Sequence, residues 1–273
     1  MAYNQSVSKK RKGAYAMAKE KIIYYSRDDE EFSGITKKTI AIDKRFKFLH
    51  KNIFWRIAAF IVYRIIMTPF AFIYCKLKFS LKTVGREKLR KFKSGCMMYS
   101  NHTLMAGDAF IPNITAFPKK NYVIVNADNV STPGTKNFIM MCGAIPIPTD
   151  FQAYRAFMNA VEKRLLEHAC VTVYPEAHIW PYYTGIRKFS DSAFRYPVKY
   201  DVPIFVSTTT FQKKKHGTTP RVTVYIDGPF YAEGDDARAK AKYLRDKAYE
   251  TLCLRSEKST YSPIAYIKKE EDK

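Results

Sequence analysis

Between residues 81 and 254, short apolar runs of strand composition alternate with stretches of helical period, and that alternation constrains the fold more than any other feature. Residues 96–99, 121–125, 170–174, 202–207 and 221–227 are rich in Val, Ile, Tyr, Phe and Met and are bounded by turn or charged residues, which is the pattern of buried strands. Ile145-Pro146-Ile147-Pro148 reads as an edge strand, because proline cannot donate to a central ladder. Phe151, Tyr154, Met158, Val161 and Leu165 recur at three- and four-residue steps, so 150–168 is predicted as an amphipathic helix. A short helix over 136–142 follows the Ser131–Thr135 turn and ends at Gly143, and 235–254 is a charged helix. There is no internal repeat. The expected architecture is α/β, with a mostly parallel central sheet flanked by helices. In such sheets the chemistry sits on loops beyond the strand ends.

One of those loops carries Ser100-Asn101-His102-Thr103-Leu104-Met105-Ala106-Gly107-Asp108. A regular helix turns about 100° per residue, which would put His102 and Asp108 on different faces. They meet only if the histidine lies in the loop after the 96–99 strand and the aspartate in the next turn. The carboxylate then takes one ring N–H, fixes the tautomer and raises the basicity of the other nitrogen. That is how a general base acting on a hydroxyl is wired. A nearby His and Asp are more often surface or capping residues, so agreement is needed from elsewhere in the chain. Glu176 provides it: Tyr174-Pro175-Glu176-Ala177-His178 follows the 170–174 strand, so both loops can reach one cleft.

The N-terminal part has a different character. Lys9-Lys10-Arg11-Lys12 and the absence of an early apolar run argue against a secretory signal peptide, and 14–52 shows no sustained period. Residues 53–74 are then almost entirely apolar, about the length of roughly 20 residues that spans a bilayer. Arg56 and Arg64 interrupt this stretch, Pro69 is expected to kink it, and lysines flank both ends. An arginine near the centre of a span is costly. A kinked helix, or a pair of helices, lying in one leaflet with its arginines reaching the headgroups accounts for this better than a span does. The domains read as a basic region (1–52), membrane-associated apolar helices (53–80), an α/β domain (81–256) and a charged tail (257–273).

The formal charge is +22, and up to Ser94 the chain has 23 Lys/Arg against 7 Asp/Glu. A basic face concentrated there implies an anionic partner: nucleic acid, anionic lipid or an acidic substrate carrier. Cys75, Cys96, Cys142, Cys170 and Cys253 form no Cys-x-x-Cys pair, and most lie in apolar runs. This fits a reducing compartment, with neither a disulfide framework nor a zinc cluster.

The order Asn101-His102, Gly143-Ala144-Ile145, Tyr174-Pro175-Glu176 and Val202-Pro203-Ile204 resembles the glycerolipid acyltransferases, the 1-acylglycerol-3-phosphate acyltransferase-like enzymes of phospholipid synthesis. The likeness covers about residues 80 to 230. It implies His102 as base, Asp108 as its orienting partner and Asn101 as a neighbour shaping the turn. The family pattern has four residues between His and Asp; here there are five, so a small bulge is expected, at Gly107. The family's Phe-Pro-Glu-Gly-Thr-Arg becomes Tyr174-Pro175-Glu176-Ala177-His178-Ile179. Glu176 matches the residue that holds the acceptor's polar head, with Ala177 and His178 beside it. Thr149 stands where an arginine is expected to bind the acceptor's phosphate. Arg155, Arg187 and Lys188 are the candidates to replace the missing arginines.

The expected activity is transfer of a fatty acyl group from an acyl thioester to a hydroxyl of a lysophospholipid-like or other lipid acceptor. Acyl-coenzyme A or acyl carrier protein would be the donor, with no further cofactor and no metal. The expected partner is an anionic membrane surface, on the cytoplasmic face of a membrane with monotopic or peripheral attachment. Three rival readings differ. A nucleic-acid binder fits the charge but lacks any matching motif. A metal-dependent hydrolase would use His102, Asp108, Glu176 and His178 as ligands. A catalytically altered family member would keep the fold alone.

Overall fold

The computed structural model describes residues 21–32, 39–215 and 219–269; the basic run at 9–12 and His216 lie outside them. In chain order the elements are β1 (Lys21–Tyr25), α1 (Ile53–Phe79), β2 (Lys82–Val84), α2 (Arg86–Lys91), β3 (Cys96–Ser100), α3 (Met105–Ala116), β4 (Asn121–Val125), α4 (Lys136–Met141), β5 (Ala144–Pro146), α5 (Tyr154–Leu166), β6 (Cys170–Val173), α6 (Arg195–Lys199), β7 (Ile204–Gln212), β8 (Arg221–Phe230), α7 (Ala237–Ser256) and β9 (Ile264–Lys268).

Seven strands form the central sheet in the order β2-β8-β7-β3-β6-β4-β5. Five of them run parallel, and β8 pairs antiparallel with β7. The α/β architecture expected from the alternation is therefore the one formed, with β5, which ends in Pro146, at an edge. The sheet is buried on both faces, which is why its strands read as continuous apolar runs. On one face Met97, Tyr99, Val171, Val173 and Val206 meet α5 and α7 through Phe157, Val161, Leu244 and Ala248. On the other, Cys96, Met98, Cys170 and Phe205 meet α1, α2 and α3 through Cys75, Phe79, Leu89, Ile111 and Ile114.

Three features differ from expectation. First, of the kinked helix and the pair of helices expected, 53–79 forms one continuous helical run, and Pro69 does not break it. The turns just before Pro69, Ile61–Met67, widen to π-helix, and the Thr68 hydroxyl bonds the Tyr63 carbonyl at 2.7 Å. Wider turns accommodate a ring that has no N–H and crowds the preceding carbonyls. Second, Arg64 does not reach outward: its guanidinium bonds the Pro118 carbonyl beside the rings of Tyr63 and Phe117. Third, the first and last strands of the described residues meet. β1 pairs parallel with β9, and Ile42, Phe46 and Phe48 are buried in the core beside α5. Neither pairing shows in local periodicity, because the partners are supplied by distant residues.

One face of α1 is built into the domain through Tyr63, Thr68, Ala71, Cys75 and Phe79. Phe54, Ile57, Phe60, Ile65, Ile73 and Leu77 are exposed; Phe54 and Leu77 retain 78% and 76% of their surface. A soluble core helix would bury such residues.

Candidate active site

β3 is the middle strand, with β7 on one side and β6 on the other. After β6 the chain crosses to the opposite side of β3, so the crevice beyond the ends of β3 and β6 is a switch point of the kind where α/β sheets bind ligands. Tyr99 lies beside Val173 in register, which puts the loops that follow, carrying His102 and Glu176, next to each other.

Asn101 ends the strand and holds it. Its side-chain amide donates to the Thr209 carbonyl at 3.0 Å and accepts the Thr209 N–H at 2.8 Å, so it continues the ladder to β7 by one further rung. His102 is then in the loop and Asp108 in the first turn of α3, as the spacing required. The His102 Nδ1 lies 2.8 Å from Asp108 Oδ2. The same oxygen accepts the backbone N–H groups of Thr103 and Leu104, both at 2.9 Å. Burial pushes the Asp108 carboxyl above the usual carboxylate range, against the opposing pull of His102 and the two backbone donors. No bulge forms at Gly107: the Asp108 N–H bonds the Leu104 carbonyl as in an ordinary first turn, so the extra residue is taken up in the loop ahead of the helix. A Cβ at 107 would lie 2.2 Å from Leu104 Cδ2, so a larger residue there must displace the Leu104 side chain.

Glu176 does not project into open space. One carboxylate oxygen accepts the His102 N–H at 2.9 Å and the other accepts the Arg187 N–H at 2.7 Å. The Arg187 guanidinium is 3.7 Å away, and both side chains are almost wholly buried. Burial raises the Glu176 carboxyl, with Arg187 opposing. Arg187 also bonds the carbonyls of Asp28 and His178 and lies 4.9 Å from the Trp180 ring. It is committed to protein groups, whereas Arg155 and Lys188 are exposed. Ala177 is exposed and has φ +62°, a conformation that suits the glycine of the family pattern better. His178 is half-exposed, 3.3 Å from Glu31. Thr149 lies after the edge strand β5, and its hydroxyl and N–H bond Ile42 rather than the His102 loop.

Among the described residues no three His, Cys, Asp or Glu are grouped so as to hold a metal ion. Sequence reasoning missed Tyr174. Its ring stacks on His102 with centroids 4.4 Å apart, and its hydroxyl donates to the Asp108 carbonyl at 2.6 Å. It missed Trp180 as well, whose indole N–H bonds Glu30 and whose ring stacks on Tyr266 of β9. The only signal for Tyr174 was its place beside Pro175-Glu176, where the family pattern has phenylalanine.

Residues 80–208 match the family model described as Acyltransferase. Among solved structures the chain is similar to the 1-acyl-sn-glycerophosphate (LPA) acyltransferase PlsC of Thermotoga maritima, with a TM-score of 0.50 at 16% identity over 75% of this chain and 83% of that one. No curated protein matches by sequence. Over residues 80–208 the chain is therefore similar to the Acyltransferase family, and its fold is like that of the structure just described.

Proposed function

We propose that the protein moves a fatty acyl group from an acyl thioester to a hydroxyl of a lysophospholipid-like acceptor at a membrane surface. The observation that carries this reading is the His102–Asp108 hydrogen bond at the end of the central strand. With Nδ1–H held by Asp108, Nε2 is left as the acceptor that takes the substrate's proton. The acceptor oxygen then attacks the thioester carbon. The tetrahedral intermediate expels the thiolate, and the proton held on His102 passes to that sulfur, so the products are an ester and a free thiol. Asp108 stabilises the imidazolium between the two transfers.

The backbone N–H groups of His102, Thr103 and Leu104 are already bonded to carboxylates. Donors for the developing oxyanion come instead from the N–H groups of Met105, Ala106 and Gly107 at the start of α3, which precede the first helical hydrogen bond, that of Asp108. Glu176 acts by holding the His102 loop. The acceptor's headgroup is left to more exposed groups such as His178, and without the two family arginines the acceptor need not carry a phosphate.

Lipid as the substrate class is supported by α1. Phe110 of α3 touches Phe70 and Tyr74 of α1, so the helix that starts beside His102 leads directly to the exposed apolar surface. The basic N-terminal third suits an anionic leaflet on the cytoplasmic side, with peripheral or monotopic attachment. It suits an anionic donor, acyl-coenzyme A or acyl carrier protein, equally well. No further cofactor and no nucleic acid enter the scheme.

The test is thiol release from acyl-coenzyme A or acyl carrier protein by vesicle-bound protein, with a panel of lysolipid acceptors, compared with His102→Ala. Acceptor-dependent release that disappears in the variant is expected. No release with either donor, or release unaffected by the substitution, would sink the reading.

A further inference from the structure

Residue 112, inside α3, is a proline. In a regular helix the carbonyl of Asp108 would accept the N–H of residue 112, four positions on, but proline has none and its ring crowds that carbonyl. The carbonyl left without its helical partner therefore belongs to the residue that orients His102. A buried carbonyl without a donor is costly. The Tyr174 hydroxyl meets it at 2.6 Å, while the ring of the same tyrosine stacks on His102 at 4.4 Å. Burial raises the Tyr174 phenol well above its ordinary range, so it stays protonated and able to donate. One side chain from the loop after β6 thus touches both members of the pair, and a second residue, Pro112, creates the vacancy its hydroxyl fills.

We infer that Tyr174 and Pro112 form a matched positioning device for the His102–Asp108 pair, with the Tyr174 hydroxyl replacing the helical hydrogen bond that Pro112 deletes. The device rests on the proposed role of His102 as base. Phenylalanine at 174 would keep the stack and lose the bond. Alanine at 112 would return an N–H to the Asp108 carbonyl.

The experiment is a double-mutant cycle of Tyr174→Phe and Pro112→Ala, read by kcat and KM with the best acceptor of the panel, by thermal unfolding, and by the downfield proton resonance of the His102 Nδ1–H. Tyr174→Phe is expected to lower kcat about tenfold, as befits one lost positioning hydrogen bond, with KM nearly unchanged. It should also move or broaden the Nδ1–H resonance while the protein stays folded. Adding Pro112→Ala should restore kcat to within about threefold of its value in Pro112→Ala alone, a non-additivity expected only of residues sharing one interaction. Equal losses in both backgrounds, or an unmoved resonance with unchanged kcat in Tyr174→Phe, would overturn the inference. His102→Ala separates the two levels: activity that survives it refutes the base itself, whereas activity that vanishes in it but is unchanged in Tyr174→Phe refutes only the positioning device.

Discussion

The carboxylate of Glu176 joins two loops: one oxygen accepts the backbone N–H of His102 and the other that of Arg187. An acidic residue beside the proposed base invites a role in binding substrate, yet here both oxygens are bonded to the protein. The acid holds the His102 loop where it leaves the sheet, and the Arg187 guanidinium 3.7 Å away compensates its charge.

Removing either partner of that buried pair should therefore be costly. Glu176→Ala leaves two backbone donors and a guanidinium without an acceptor, and a loss of about 3–5 kcal/mol is expected. Arg187→Ala leaves the carboxylate uncompensated and should cost a similar amount. Urea unfolding of both variants checks this. Near wild-type stability in Glu176→Ala would mean that the carboxylate is not the clasp described.

Asp108→Asn should separate stability from activity. The folded-state pKa of Asp108 is raised, chiefly by burial, so its contribution is fully present below the unfolded value, about 4, and is lost as pH rises through the folded value. The asparagine variant escapes that loss. Its stability relative to wild type should be lowest below about pH 4 and improve towards neutrality. Activity should fall by a factor on the order of 10³–10⁴ because His102 is no longer held in the right tautomer. Unfolding curves across pH, with assays of the same samples, test both halves.

Phe54→Glu and Leu77→Glu alter exposed positions on the apolar face of α1. Each removes a side chain worth about 1.5–3 kcal/mol when buried in an apolar medium, so vesicle affinity should fall about tenfold or more. The thermal midpoint should hardly move. Vesicle sedimentation and melting of the same proteins settle it, and unchanged binding in both variants would remove α1 as the docking face.

At Ala177 the left-handed backbone predicts a graded response. Ala177→Val should destabilise by about 1–2 kcal/mol or more, because a branched Cβ is poorly tolerated at positive φ. Ala177→Gly should be neutral to mildly stabilising, since relief of strain is offset by the freer unfolded chain. Thermal melts of the pair discriminate these outcomes, and equal stability of the two variants would contradict the strain.

Much of the site could be read from local chemistry. The His102–Asp108 contact followed from a loop position and a helix start, and Asn101, His102 and Glu176 do gather at the ends of neighbouring strands. Thr149 does not join them, because β5 lies at the sheet edge and Thr149 bonds Ile42. The use of Glu176 was hidden for a different reason. Its partners are backbone N–H groups, which every residue has, so no side-chain pattern announces them.

By itself the sequence determined much of the strand and helix succession between 81 and 254, the apolar stretch over 53–74 and the histidine with its carboxylate, because periodicity, turn chemistry and short-range spacing act within a few residues. Only the tertiary structure decided that β1 pairs with β9, that Glu176 and Arg187 are buried together, and that the Tyr174 hydroxyl answers the gap left by Pro112. Those contacts join residues far apart in the chain, where strand order and burial, rather than local preference, choose the partner.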